Sequence, residues 1–99
     1  MRIFSGIQPT GALHIGNYLG MLKQSVKLQE EGECIYCVVD LHAMTIPYDP
    51  EQMQKNILDV TVCCLVAGID PAKSVLFVQS KVAEHTELAW ILNTVTPIG

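Results

Sequence analysis

The sequence predicts an α/β fold: one parallel sheet in a three-layer arrangement, with helices on both faces. Short runs rich in β-branched residues, RIFSG, CIYCVVD and SVLFVQS, alternate with longer segments whose apolar residues recur at helical spacing. The middle run is apolar almost throughout, as expected of a strand buried on both sides. The resulting order, β-α-β-α-β-α, calls for right-handed crossovers between parallel strands.

The first strand is RIFSG, ended by Gly6, with a loop through Leu13. From about Gly16 to Glu31, Leu19, Leu22, Val26 and Leu28 form an apolar face and Gly32 supplies the stop. CIYCVVD, residues 34–40, is the second strand, and LHAMTIPYDPEQ a connecting loop. Asp49, Pro50 and Glu51 are a helix start: a capping carboxylate, a proline at the first helical position and an acid near the positive end of the dipole. That helix runs to Ala67 and is capped by Gly68; SVLFVQS comes next as the third strand and EHTELAWILNTV as the third helix.

The chain has 99 residues, 49% hydrophobic and 16% charged, with a net charge of −4 from six basic and ten acidic side chains. So apolar a composition resembles the interior of a larger protein. The absence of clustered cations argues against a basic nucleic-acid-binding module. No apolar run approaches the ~20 residues that span a bilayer. MRIFSG breaks at Gly6 before a signal-peptide core forms, so a cytoplasmic protein is expected and no membrane partner. Cys34 and Cys37 have C-x-x-C spacing, but on a strand an odd separation points them to opposite faces. Cys63 and Cys64 are adjacent on a helix. All four are expected to be buried, reduced thiols, and no metal site is expected.

Residues 5–20, SGIQPTGALHIGNYLG, join the first strand to its helix. Ligands of parallel sheets collect where strands give way to helices, and Asp40, Leu41 and His42 occupy the matching position after the second strand. Gly6 and Gly11 permit positive φ or close approach, and Gly16 leaves no side chain between the backbone and a flat ligand such as adenine. His14 and Asn17 stand one helical turn apart and can both donate hydrogen bonds to phosphate oxygens. The alternative for His14 is a helix cap; the strand-loop-helix frame and Asn17 favour the phosphate role. The glycine spacing fits neither the dinucleotide fingerprint nor a Walker loop. For His42 the alternative is a loop histidine satisfied by backbone. Asp40 is expected to anchor loop amides. Trp90, Met53 and Met44 are expected in the core or an interface.

SGIQPTG together with LHIGNYLG resembles the N-terminal signature of tryptophanyl-tRNA synthetases, their form of the HIGH motif of class I aminoacyl-tRNA synthetases. VVDLHAMT (38–45), AGIDP (67–71) and FVQS (77–80) match further segments in order. Asn17 argues against the tyrosyl-type relatives, which remain an alternative beside a non-catalytic nucleotide-binding or folding fragment.

The resemblance implies a Rossmann-like catalytic domain, with residues 1–99 as its truncated N-terminal half. It implies activation of L-tryptophan by ATP and Mg²⁺, release of pyrophosphate and transfer to tRNA(Trp) by a homodimer. Gln8, Pro9, Thr10, His14, Gly16 and Asn17 would then meet ATP, with His14 and Gln8 catalytic. Phe4, Gly6, Val39 and His42 would line the tryptophan pocket. The acidic residue for the indole N–H, the KMSKS loop and the anticodon-binding domain are expected outside these 99 residues, which alone should be inactive.

Overall fold

A computed structural model of the chain describes residues 1–97; the last two residues of the expected 1–99 domain lie outside it. Three strands, β1 (Arg2–Ile7), β2 (Glu33–Val38) and β3 (Ser74–Val78), form one parallel sheet in the order β1-β2-β3. Arg2 pairs with Glu33 at one end of β1 and Ile7 with Val38 at the other, while Cys34 to Val38 pair with Ser74 to Val78. The α/β class and parallel sheet are as expected.

The strand order advances in one direction. Two right-handed crossovers stepping the same way must put both connecting helices on the same face of the sheet. The buried cluster lies there: Ile7, Cys34, Tyr36 and Val38 from the strands meet Leu22 from the first crossover and Val60, Cys64 and Ile69 from the second. The opposite face carries Phe4, Gly6, Cys37 and Phe77, and Phe4 is 62% exposed. Its helical layer begins with α5 (Glu84–Val95), where the His85 ring stacks parallel on Phe77 with centroids 6.0 Å apart. The rest of α5 buries nothing among the described residues, and Trp90 is 73% exposed.

Several boundaries differ from expectation for local reasons. β1 continues through Gly6 to Ile7 because the ladder to β2 extends that far. The first helix is composite: α1 (Ile15–Asn17), a π-helical stretch (Tyr18–Leu22) and α2 (Lys23–Leu28). The wide turn rephases the helix, so Leu19 is exposed and the buried positions are Leu22, Ser25 and Gln29. Two of these are polar, and each lies on a buried hydrogen bond. The Tyr36 hydroxyl donates to the Ser25 carbonyl at 2.8 Å. The Gln29 amide donates to the Gly68 carbonyl at 3.0 Å and accepts from Asp70 N–H and the Ser74 hydroxyl at 2.6 and 2.7 Å.

Gly32 does not end this helix, which stops at Leu28. Its lack of a side chain is needed because a Cβ there would collide with the Met1 carbonyl. The expected loop after β2 contains a one-turn helix, α3 (Asp40–Ala43). The start of α4 (Pro50–Val66) is as read: Asp49 Oδ1 accepts from Glu51 and Gln52 N–H at 2.8 and 3.2 Å, with Pro50 opening the helix. Gly68, with φ 111°, closes it in the left-handed region.

Cys34, Cys37 and Cys64 are buried free thiols, and burial pushes Cys64 up to about 11, with Cys63 adding to the shift. Cys63 is exposed, against expectation, because it points away from the cluster that takes Cys64. Met53 is in the core as read; Met44 is exposed.

Candidate functional site

The site lies where β1 and β2 end. Their ladder stops at Ile7 and Val38, and one further bond, from Val39 N–H to the Ile7 carbonyl at 2.9 Å, ties the two exits together. Gly6 is what lets them close up: a Cβ on it would stand 3.0 Å from Val39 Cγ1. The close approach therefore comes from a neighbouring side chain, and Gly6 has no positive φ. Gly11 does, at 140°, and it turns the loop back towards the helix.

His14 is the N-cap of α1. Its Nδ1 accepts from Gly16 N–H at 3.1 Å, and Asn17 Oδ1 accepts from His14 N–H at 3.0 Å, a reciprocal capping box. The cap and the donor are thus the same device. With Nδ1 accepting, a neutral imidazole carries its proton on Nε2. The capping bond selects the tautomer that can donate to an anion. Gly16 lies against the ring: a Cβ there would stand 2.8 Å from His14 Cε1 and 2.9 Å from Nδ1, so the ring would have to move.

Gln8, Thr10, Gly11, Leu13, His14 and Asn17 line a mainly polar recess of about 250 Å³. Pro9 is buried and is not among the residues lining this recess, so it presents no surface to a ligand there. A second recess of about 110 Å³ joins Pro9 and Thr10 to Ala43, Ile46 and Tyr48, so the loop after β1 and the segment after β2 do face one another.

On the β2 side, Asp40 is buried and its Oδ1 accepts from Leu41 and Ser80 N–H, both at 3.0 Å. It anchors loop amides as expected, and its charge adds to the burial that pushes the Cys37 thiol up. His42 sits in α3, with an exposed side chain; its N–H donates to Gln79 Oε1 at 3.2 Å and its carbonyl accepts from the Thr45 hydroxyl at 2.8 Å. Gln79 was missed from the sequence because its role appears only once β3 stands beside β2. Phe4 lies on the second sheet face in the same row alternation as Gly6, and His42 and Val39 stand at the exits above. No group of three or more His, Cys, Asp or Glu is gathered to hold a metal among the described residues.

A profile of the class I tRNA synthetases (W and Y) matches residues 1–99. The chain is 55% identical over 97 residues to a tryptophan–tRNA ligase of Brucella melitensis biotype 1, covering 98% of the chain and 27% of that relative. It is 51% identical over 98 residues to the ligase of Caldanaerobacter subterraneus subsp. tengcongensis, covering 99% and 30%. The chain therefore spans under a third of the length of these relatives. Its fold superposes on tryptophanyl-tRNA synthetase from Campylobacter jejuni complexed with ADP and tryptophan, with TM-score 0.91 and 46% identity over 98% of the chain and 30% of that structure. The synthetase from Mycoplasma pneumoniae gives TM-score 0.90 at 35% identity, over 99% and 29%.

Proposed function

The chain belongs to the class I tRNA synthetases for W and Y, and from that premise we propose that it is part of an ATP-dependent tryptophan–tRNA ligase. The enzyme joins L-tryptophan to ATP as tryptophanyl-adenylate, releases pyrophosphate, and passes tryptophan to tRNA(Trp). The observation that carries this reading is the His14 cap in the loop after β1: its Nδ1 is engaged by Gly16 N–H, and the residue lines the polar recess together with Gln8, Thr10 and Asn17. The tryptophan specificity is supported by relatives named for tryptophan at 50–55% identity.

The proposed chemistry is an in-line displacement. A tryptophan carboxylate oxygen bonds to the α-phosphorus as the bond to the bridging oxygen of the leaving pyrophosphate breaks. Negative charge grows on the non-bridging and bridging oxygens, and fixed donors that meet it lower the barrier. His14 Nε2–H supplies one donor and the Gln8 amide a second. Thr10 borders the phosphates, Pro9 holds the loop, and Gly16 and Asn17 lie on the adenosine side. Phe4, Gly6, Val39 and His42 form one wall of the indole pocket. Mg²⁺ enters as the magnesium salt of the substrate ATP. A cytoplasmic homodimer is part of the same proposal.

Tryptophan-dependent exchange of pyrophosphate into ATP, assayed on the full polypeptide that carries residues 1–99, tests the reading. Exchange that requires tryptophan and is not met by tyrosine is the expected result. Exchange with tyrosine, or none, overturns it.

A further inference from the structure

The exits of β2 and β3 are tied by two hydrogen bonds that run in opposite directions. Asp40, at the start of α3, accepts from Ser80 N–H at 3.0 Å; Gln79, in the 3₁₀ turn (Gln79–Lys81) that follows β3, accepts from His42 N–H at 3.2 Å. The β2–β3 ladder has already ended at Val38 and Val78, so side chains take over where backbone pairing stops. On the opposite flank Val39 is pinned to β1 through the Ile7 carbonyl and packs over Gly6. Residues 39–42 therefore bridge all three strand exits.

A helix as short as α3, Asp40–Ala43, has no independent stability, since nucleation costs more than one turn returns. Its position must come from tertiary bonds. Asp40 is a buried carboxylate, and such a group is tolerated only with its hydrogen bonds made. By contrast, residues 14–17 are held by their own capping box, and no hydrogen bond joins them to Asp40 or Gln79 among the described residues.

We propose that Asp40 and Gln79 are a reciprocal pair of positioning residues that fix the wall formed by Val39 and His42, and so set selectivity for the indole side chain. The inference rests on the tryptophan reading above. It assigns to the pair an effect on tryptophan and none on ATP, because residues 14–17 on the ATP side are held by their own capping box.

The test is steady-state pyrophosphate exchange on the full polypeptide, comparing wild type with Gln79→Met, which removes the acceptor at similar volume, and Gln79→Glu, which keeps one. Amide hydrogen exchange at His42 is measured in parallel. In Gln79→Met the KM for tryptophan rises about tenfold, with kcat and the KM for ATP within about twofold, and the His42 amide exchanges faster. Gln79→Glu restores both. Asp40→Ala, which removes the acceptor for Ser80 N–H, raises the KM for tryptophan in the same way and leaves the KM for ATP within about twofold. A Gln79→Met enzyme whose KM for ATP rises as much as that for tryptophan, or whose tryptophan KM is unchanged, overturns the pair's role while leaving the ligase reading intact. Wild-type protein without tryptophan-dependent exchange overturns the ligase reading itself.

Discussion

The two flanks of the crevice are positioned by different means. On the β1 side, residues 14–17 hold themselves: both capping bonds span three residues or fewer. On the β2 side, Asp40 and His42 are held by partners nearly forty positions away, at |i−j| of 40 and 37. A local device survives small shifts of the sheet, whereas a tertiary clamp transmits them. Under the proposed function, the His14 donor is thus held by other bonds than the wall of Val39 and His42.

Separating the cap from the donor gives the largest expected effect. Asn is among the best N-caps, so His14→Asn keeps an acceptor for the helix amides and removes Nε2–H. We expect kcat for pyrophosphate exchange to fall by about 10²-fold or more, the range for loss of one fixed donor. The thermal midpoint should move by no more than about 4 °C. Equal activity in His14→Asn would make the histidine a cap and nothing else.

Gly16→Ala attacks the same flank without touching the imidazole chemically. The added Cβ would meet the His14 ring at 2.8 Å, so the ring must swing and its bond to Gly16 N–H is lost. An activity loss of about tenfold is expected, accompanied by a change in the His14 ring signals in NMR. Unchanged signals would show that the ring has room the geometry denies it.

Beneath both flanks lies the Tyr36–Ser25 bond, which docks the first helix on β2. Tyr36→Phe leaves the Ser25 carbonyl without this donor and should cost about 1 kcal/mol in urea unfolding, with the two flanks affected alike. A selective effect on either substrate would mean that helix and sheet are coupled to one flank only.

The smallest effect concerns pH. Burial, with Cys34 nearby, pushes the Tyr36 hydroxyl from 10.0 up to about 12. The folded state holds this proton more tightly than the unfolded chain. Its contribution is therefore complete below pH 10 and is lost as pH rises towards 12. Chemical denaturation as a function of pH should show that decline in wild type and lack this part of it in Tyr36→Phe.

Periodicity and composition were enough for elements whose signals are local. The Asp49-Pro50 start of α4, the Gly68 stop and the buried middle strand need only neighbouring residues to specify them. The first helix was legible as a helix but not in its phase, because a π turn at Tyr18–Leu22 rotates α2 about the helix axis and two buried positions are polar. Ser25 and Gln29 satisfy their surroundings through Tyr36, Gly68, Asp70 and Ser74, and no local pattern announces such partners.

The candidate site divides the same way. Sequence alone determined that His14 and Asn17 open a helix at a strand's carboxyl end and that Asp40 and His42 stand at the next one, since chain order and strand-to-helix alternation decide those places. The His14 cap is a local bond between residues 14 and 16, whereas only the tertiary structure decided that Val39 closes over Gly6 and that Gln79 reaches His42. These depend on atoms brought within about 3 Å by the register of three strands, and that register is set by the packing of one whole sheet face.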